Sequence, residues 1–309
     1  MRVFITGSAG MLGSSVYPAF HGAGHEVVAT DLTPRDVAGL PMGNLDVRDY
    51  RAVTGEILSR RPDLVLHLAA ETDLEVSESN PDHAYATNTV GTHNVALAAE
   101  AVGATLVYIS TAGIFDGTKT SGPYTEFDQP NPISVYGDSK FQGERVVEQT
   151  MSKYFVVRAG WMIGGHERDH KFVAKVLGQI RSGATTIRAV DDKLGTPTYT
   201  VDFAANLLEL VQTPFHGLYH MVCGGDGSRL DVAREIVAHL GRANVEVVPV
   251  TSEHFAAEYF APRPRSEIMR NYQLDLRGLN RMRPWREALA AYLDSLDPAL
   301  TGRDAERSA

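Results

Sequence analysis

A tyrosine and a lysine four residues apart, Tyr136 and Lys140, carry the sharpest chemical possibility in the sequence. On a helix they share one face. A free tyrosine titrates near ~10 and is a poor acid or base at neutral pH. A lysine cation alongside favours the phenolate and lowers that value. The tyrosine can then exchange a proton with a carbonyl or carbinol oxygen while a nicotinamide exchanges the hydride. Thr111, which closes the apolar run 104–109 after Ser110, can hydrogen-bond the same oxygen. Alone, a Tyr/Lys pair at this spacing is an ordinary helix face, so its meaning rests on the elements around it.

The first of those elements is Gly7-x-x-Gly10-x-x-Gly13, which follows the short apolar run 2–6 and precedes a helix-like stretch. A strand, a tight glycine turn and a helix start form a dinucleotide cradle. Glycine permits positive φ at the turn and close approach of backbone to phosphate. The N–H groups of Met11, Leu12 and Gly13 at the helix start then face a pyrophosphate. The alternative is a glycine-rich surface turn. Asp31 closes a second apolar run about 20 residues beyond the loop, where a carboxylate grips the adenosine ribose hydroxyls. Asp46 is a candidate for the adenine amino group; a helix cap at Asp46 or Asp49 is the alternative. The run 64–70 reads as a buried strand ending in Ala69 and Ala70, small enough for a cofactor to approach.

Helical spacing over 51–61, about 81–102 and about 134–149 alternates with apolar runs at 104–109 and 155–158. That alternation predicts a doubly wound parallel α/β sheet of the Rossmann type. Ligands sit beyond the C-terminal strand ends of such sheets, where Ser110 and Thr111 fall. A long turn-rich loop, 113–132, reads as functional. Beyond the sixth strand glycine and proline interrupt the pattern. We expect a nucleotide-binding domain over 1–160 and a smaller substrate lobe over 161–300, with helices near 169–182, 201–212, 229–240 and 285–294. The chain is free to cross between the two, and 301–309 reads as a frayed tail.

Bulk properties bound the function. A net charge of −9 argues against a nucleic-acid partner, and no run approaches a membrane span. The first strand starts at residue 2, which leaves no room for a signal peptide. Cys223 is the single cysteine, so no intrachain disulfide forms and a reducing cytoplasm is expected.

These motifs resemble the extended short-chain dehydrogenase/reductases that act on nucleotide sugars. Longer stretches narrow the resemblance: Leu68-Ala69-Ala70-Glu71-Thr72, Tyr85-Ala86-Thr87-Asn88, Phe115-Asp116-Gly117-Thr118-Lys119, Ser134-Val135-Tyr136-Gly137, 191–199 and 284–289. Together they are similar to the dTDP-4-dehydrorhamnose reductase family across nearly the whole chain. The resemblance implies reduction of the 4-keto group of a dTDP-linked 6-deoxyhexose with NADPH or NADH. It assigns the acid to Tyr136, the lysine role to Lys140 and the oxygen-binding hydroxyl to Thr111. It also places Thr72 beside cofactor and substrate. A homodimer is compatible with it.

Where the family has Asp-Tyr after Ser-Thr, this chain has Ala112-Gly113, which leaves the identity of the sugar open. The related 4,6-dehydratases use Thr-Asp-Glu there, and neither Ala112 nor Gly113 supplies a carboxyl group for elimination. Two rival readings share the fold. One is a C4 epimerase using the same three residues with tightly held NAD. The other is a non-catalytic regulator resembling the β subunit of methionine adenosyltransferase. Trp161 is a candidate for stacking on the nucleotide base, with core packing as the alternative. Arg263 and Arg265 are candidates for the diphosphate, with plain solvation as the alternative. His166-Glu167-x-x-His170 matches a zinc pattern, but Gly164-Gly165 precedes it and Asp169 interrupts it. We expect no metal there.

Overall fold

Several stretches of this chain are apolar on both alternating sets of side chains, the pattern of strands covered on both faces. All four residues of Leu64–His67 are buried, as are most of Thr105–Thr111 and Tyr154–Ala159. The computed structural model describes residues 1–296, so the expected tail over 301–309 lies outside the described residues. In order, the first half comprises β1 (Arg2–Thr6), α1 (Gly13–Gly22), β2 (Glu26–Asp31), β3 (Gly43–Asn44), α2 (Tyr50–Arg60), β4 (Leu64–His67), α3 (Leu74–Ser79), α4 (Pro81–Tyr85), α5 (Gly91–Val102), β5 (Thr105–Thr111), α6 (Val135–Thr150) and β6 (Tyr154–Ala159). Then come β7 (Trp161–Ile163), α7 (Phe172–Arg181), β8 (Thr186–Val190), β9 (Leu194–Gly195), β10 (Pro197–Tyr199), α8 (Thr200–Leu210), β11 (Gly217–Met221), β12 (Gly227–Ser228), α9 (Arg229–His239), β13 (Glu246–Val250), β14 (Ser266–Glu267), α10 (Tyr272–Leu276) and α11 (Trp285–Ser295).

Seven strands form one parallel sheet in the order β11-β6-β5-β4-β1-β2-β3. The doubly wound sheet expected from the alternation is therefore present. The two-residue period sorts its side chains to two cores. Val3, Ile5, Leu64, Leu66, Val107, Phe155 and Val157 join the core that holds α1, α8 and α11. Phe4, Val65, Leu106, Tyr108 and Val156 join the one that holds α2 and α5. Strand order reverses between β1 and β4, and the crevice at such a point is where ligands settle. β11 lies far along the chain yet pairs with β6, so the chain returns to the main sheet after β7–β10. The smaller sheets β10-β7, β13-β8 and β12-β9-β14 had no clear local signal.

The helices expected near 201–212, 229–240 and 285–294 are α8, α9 and α11. The one expected from 169 starts at Phe172, because the Asp169 carboxylate accepts the Lys171 N–H at 2.8 Å and holds the chain in a turn first. The helix expected over 81–102 is broken by a π turn at Ala86–Val90. Among the described residues no helix is long and apolar enough to cross a membrane.

Helix α6 carries Tyr136 and Lys140 and is fixed at both ends of its buried face. Ser134 caps it by accepting the Gly137 N–H at 3.1 Å. Further along, Glu144 takes a two-pronged pair from Arg158 of β6, Nε to Oε1 at 2.9 Å and Nη2 to Oε2 at 2.8 Å, with both side chains about 97% or more buried. Removing one member leaves the other charge buried alone. Arg158→Met should cost about 3–5 kcal/mol of unfolding free energy in urea, and the Arg158→Met/Glu144→Met double variant should recover most of it. A double variant no more stable than the single would show that the pair does not set the position of α6.

Candidate active site

The glycine loop closes the C-terminal end of β1 and opens α1. At Gly7, φ is +73° and an added Cβ would sit 2.5 Å from the Ala69 N. At Gly13 it would run into the Gly7 carbonyl oxygen. The loop therefore lies flat against itself and against the end of β4, as a backbone cradle must. The N–H groups of Met11, Leu12 and Gly13 donate no hydrogen bond among the described residues, and Leu12 offers no side-chain cap to α1. Three free donors at a helix start form a ready anion site. The residues present thus fit the diphosphate of a dinucleotide.

A cleft of about 500 Å³ opens over this loop. Gly7, Gly10, Met11, Leu12 and Gly13 form one wall, with Asp31 and Asp46 along the β2 side. Ala69, Ala70 and Thr72 line it beyond β4, and Thr111, Tyr136 and Lys140 line its inner end. Asp31 accepts the Ala9 N–H on Oδ2 and the Thr33 N–H on Oδ1, each at 3.0 Å, so it also braces the loop. The Asp46 carboxylate is held by the Arg48 guanidinium at 2.6–3.1 Å, which keeps it ionised well below the usual carboxylate range. The cap of α2 is Asp49, not Asp46.

Trp161 and Arg263 are not among the residues lining this cleft. Trp161 donates its indole N–H to Glu267 at 2.7 Å, and the Arg229 guanidinium lies over its ring at 3.8 Å. Arg263 pairs with Glu75 through two contacts of 2.8 and 2.9 Å. The cations that do reach the cleft include Arg168, inside the histidine pattern, and Lys171, just beyond it, neither of which the sequence singled out. Arg168 donates to the carbonyls of Ala9 and Asp36, tying the small lobe to the glycine loop and to the loop after β2. His166–Arg168 is a single 3-10 turn entered at Gly165 (φ +81°), with His166 itself at +51°, so the two histidines do not share a helix. A basic residue within a glycine-bounded loop was the only signal for Arg168.

At the inner end Thr111 and Tyr136 line the cleft together, and Thr111 Oγ1 accepts the Gly113 N–H at 3.1 Å. Burial pushes the Tyr136 phenol up to about 12, with Glu267 and Glu71 adding to the rise and the Thr111 hydroxyl opposing it. This differs from the expectation that Lys140 lowers the phenol. Burial also brings Lys140 down to about 7 against the pull of Glu144. Its ammonium sits 4.2 Å from the Tyr108 ring centroid, and the Tyr108 hydroxyl donates to the Lys140 carbonyl at 3.0 Å. Behind it the π turn presents Asn88, whose amide donates to the Glu71 carbonyl and the Ser139 hydroxyl, each at 3.0 Å, and accepts the Glu71 N–H at 2.8 Å. Extra-wide turns of this kind re-aim a side chain, and here it locks the end of β4 to α6. His67 continues the lock between Thr6 and Thr92 at 2.7 and 3.0 Å, kept neutral by burial that lowers it to about 3.

The sheet order, the loop at its reversal point and the Tyr/Lys pair at the inner end of one cleft define the class: an extended short-chain dehydrogenase/reductase. The chain belongs to the family described as RmlD substrate binding domain, which it matches over residues 1–297. It is 35% identical over 297 residues to a dTDP-4-dehydrorhamnose reductase of Mycobacterium tuberculosis, covering 94% of this chain and 92% of that one. A solved dTDP-4-dehydrorhamnose reductase from Clostridium acetobutylicum aligns with a TM-score of 0.86 at 35% identity, covering 95% and 99% of the two chains. The enzyme of that name from Bacillus anthracis, solved in complex with NADP, aligns at 0.84 and 31% identity, covering 96% and 99%.

The lowered lysine makes a stability prediction. Lys140 titrates near 7 when folded and near 10.5 when free. The unfolded chain therefore holds more protons between those values, and stability rises with pH across that window. Below pH 7 the cost of burying the charge is present in full. Lys140→Met should raise the melting temperature of the cofactor-free protein at pH 6 by roughly 2–4 °C and flatten its rise between pH 7 and 10. A lower melting temperature at pH 6 would contradict a buried, uncompensated ammonium.

Proposed function

We propose that this chain reduces the 4-keto group of a nucleotide-linked 6-deoxyhexose, with dTDP as the nucleotide, using NADPH or NADH. The observation that carries the reading is Thr111, Tyr136 and Lys140 set together at the inner end of a cleft whose outer end is a free-donor glycine loop. The reductase names of its relatives favour this over a C4 epimerase or a regulatory subunit.

The nicotinamide cofactor, when bound, supplies the hydride. The chain's residues do the rest. Met11, Leu12 and Gly13 hold the diphosphate, and Lys140 holds the nicotinamide ribose. Each Asp31 oxygen keeps a lone pair beyond its backbone contact, enough to take the adenosine ribose hydroxyls of NADH. Arg35 and Arg168 stand in the same cleft to meet the 2′-phosphate of NADPH. Tyr136 donates its proton to the C4 oxygen as charge develops there, and Thr111 donates a hydrogen bond to the same atom. A phenol held near 12 stays protonated throughout the neutral range, so the acid is always loaded. The phenolate left behind is stabilised by the Lys140 cation, which is present only below about pH 7 in the free enzyme. The buried single cysteine, Cys223, accords with a reducing cytoplasm, and a homodimer is the assembly to test by sedimentation.

The test is cofactor absorbance with dTDP-4-keto-6-deoxyglucose and its epimers. Tyr136→Phe should keep its fold and cofactor affinity while turnover falls by roughly 10²–10⁴. In the wild type, kcat/KM for reduction should fall as pH rises through about 7, as Lys140 loses its proton. Wild-type turnover by the Phe variant, or no turnover of any keto sugar by the wild type, would overturn the reading.

A further inference from the structure

Gly113 stands where a side chain would face the reacting hydroxyls, and its own space is shared by a residue from the far end of the chain. A Cβ placed on Gly113 would lie 3.5 Å from Thr111 Oγ1 and 3.6 Å from Glu267 Oε1. The two oxygens thus flank one small space and are at most about 7 Å apart. Glu267 is brought there by β14, which pairs with β9 through Glu267 and Gly195. Gly195 leaves room for the Trp161 ring, which an added Cβ would strike. Trp161 in turn donates its N–H to Glu267 Oε2 at 2.7 Å. That contact fixes the carboxylate and leaves Oε1 without a hydrogen-bond partner among the described residues. Burial pushes its carboxyl above the ordinary carboxylate range, with the Trp161 N–H, Arg229, Arg263 and Lys193 opposing that rise.

A carboxyl oxygen with no donor among the described residues, aimed at the space beside Thr111, is built to accept from a hydroxyl. In a 4-keto-6-deoxyhexose the carbons flanking the carbonyl are C3 and C5, and of these only C3 carries a hydroxyl. From Thr111 Oγ1 to the C4 oxygen, on to the C3 oxygen and then to a carboxylate are three steps of about one hydrogen-bond length, ~2.8 Å each, so a bent path spans the separation available. We propose that Glu267 binds the C3 hydroxyl of the sugar through Oε1 and so selects 4-keto sugars that retain it. This rests on the ketoreductase reading. A single carboxylate fixed to Trp161 does not supply the separate acid and base that elimination needs, so the placement does not turn the site into a dehydratase.

The experiment compares the 4-keto-6-deoxy sugar nucleotide with its 3-deoxy counterpart, in wild type, Glu267→Ala and Glu267→Gln. A hydrogen bond that forms with one sugar only, and leaves a buried acceptor unpaired with the other, should give the wild type a preference of roughly 10- to 100-fold in kcat/KM for the 3-hydroxy sugar. Glu267→Ala should treat the two sugars alike. Glu267→Gln keeps the shape and a neutral acceptor, and should retain a reduced preference. Retention of the full preference by both variants, or equal turnover of both sugars by the wild type, would overturn the proposal while leaving the reductase reading intact. A wild type that reduces neither sugar would overturn both.

Discussion

No side chain fits between Gly13 and the carbonyl of Gly7, and the cleft depends on that contact. The first turn of α1 is drawn back under the loop that leads into it, and Gly7 is pressed against the end of β4 at the same time. Three helix-start N–H groups donate to nothing among the described residues. Such groups cost free energy unless a ligand or water takes them, so the loop holds an unmet demand for an anion. The position of the loop is fixed in turn by the sheet, because β1 lies between β2 and β4 at the point where strand order reverses.

The inner end of the cleft carries a second unmet demand. Lys140 is 3% exposed, and the acid one turn further along the helix, Glu144, is committed to Arg158. The ammonium is left with the Tyr108 ring. Burial moves both Lys140 and Tyr136 toward their neutral forms. A site with this character trades stability for function. The supporting shell bears that cost with neutral, fully paired groups: Asn88 in its π turn, and His67 between two threonines.

Much of this was legible in the sequence, for a physical reason. β1, β2, β4, β5 and β6 are short apolar runs closed by glycine, proline or small residues, and each signal is local. Tyr136 and Lys140 are separated by one helical turn and Ser134 is an ordinary cap, so α6 announced itself. What was not legible depends on contacts distant in sequence. β11 lies in the apolar run 218–223, but nothing local says that it returns to the main sheet beside β6. Arg263 meets an acid 188 positions away and Trp161 one 106 positions away, so their roles could not be read from their neighbours. Arg168 reaches the glycine loop only because Gly164 and Gly165 take positive φ and turn the chain inward. The expected lowering of the tyrosine failed for a different reason: burial, which no spacing reports, acts on both partners and outweighs their mutual attraction.

The central claim is that hydride passes to C4 of the sugar as Tyr136 supplies the proton. The most direct test uses NADPH or NADH deuterated at the transferable position, with a dTDP-4-keto-6-deoxyhexose, and locates the label by NMR. The account predicts one deuterium at C4 of the product for each cofactor oxidised. Label at any other carbon, or a C4-epimerised product with no net oxidation of cofactor, would contradict it.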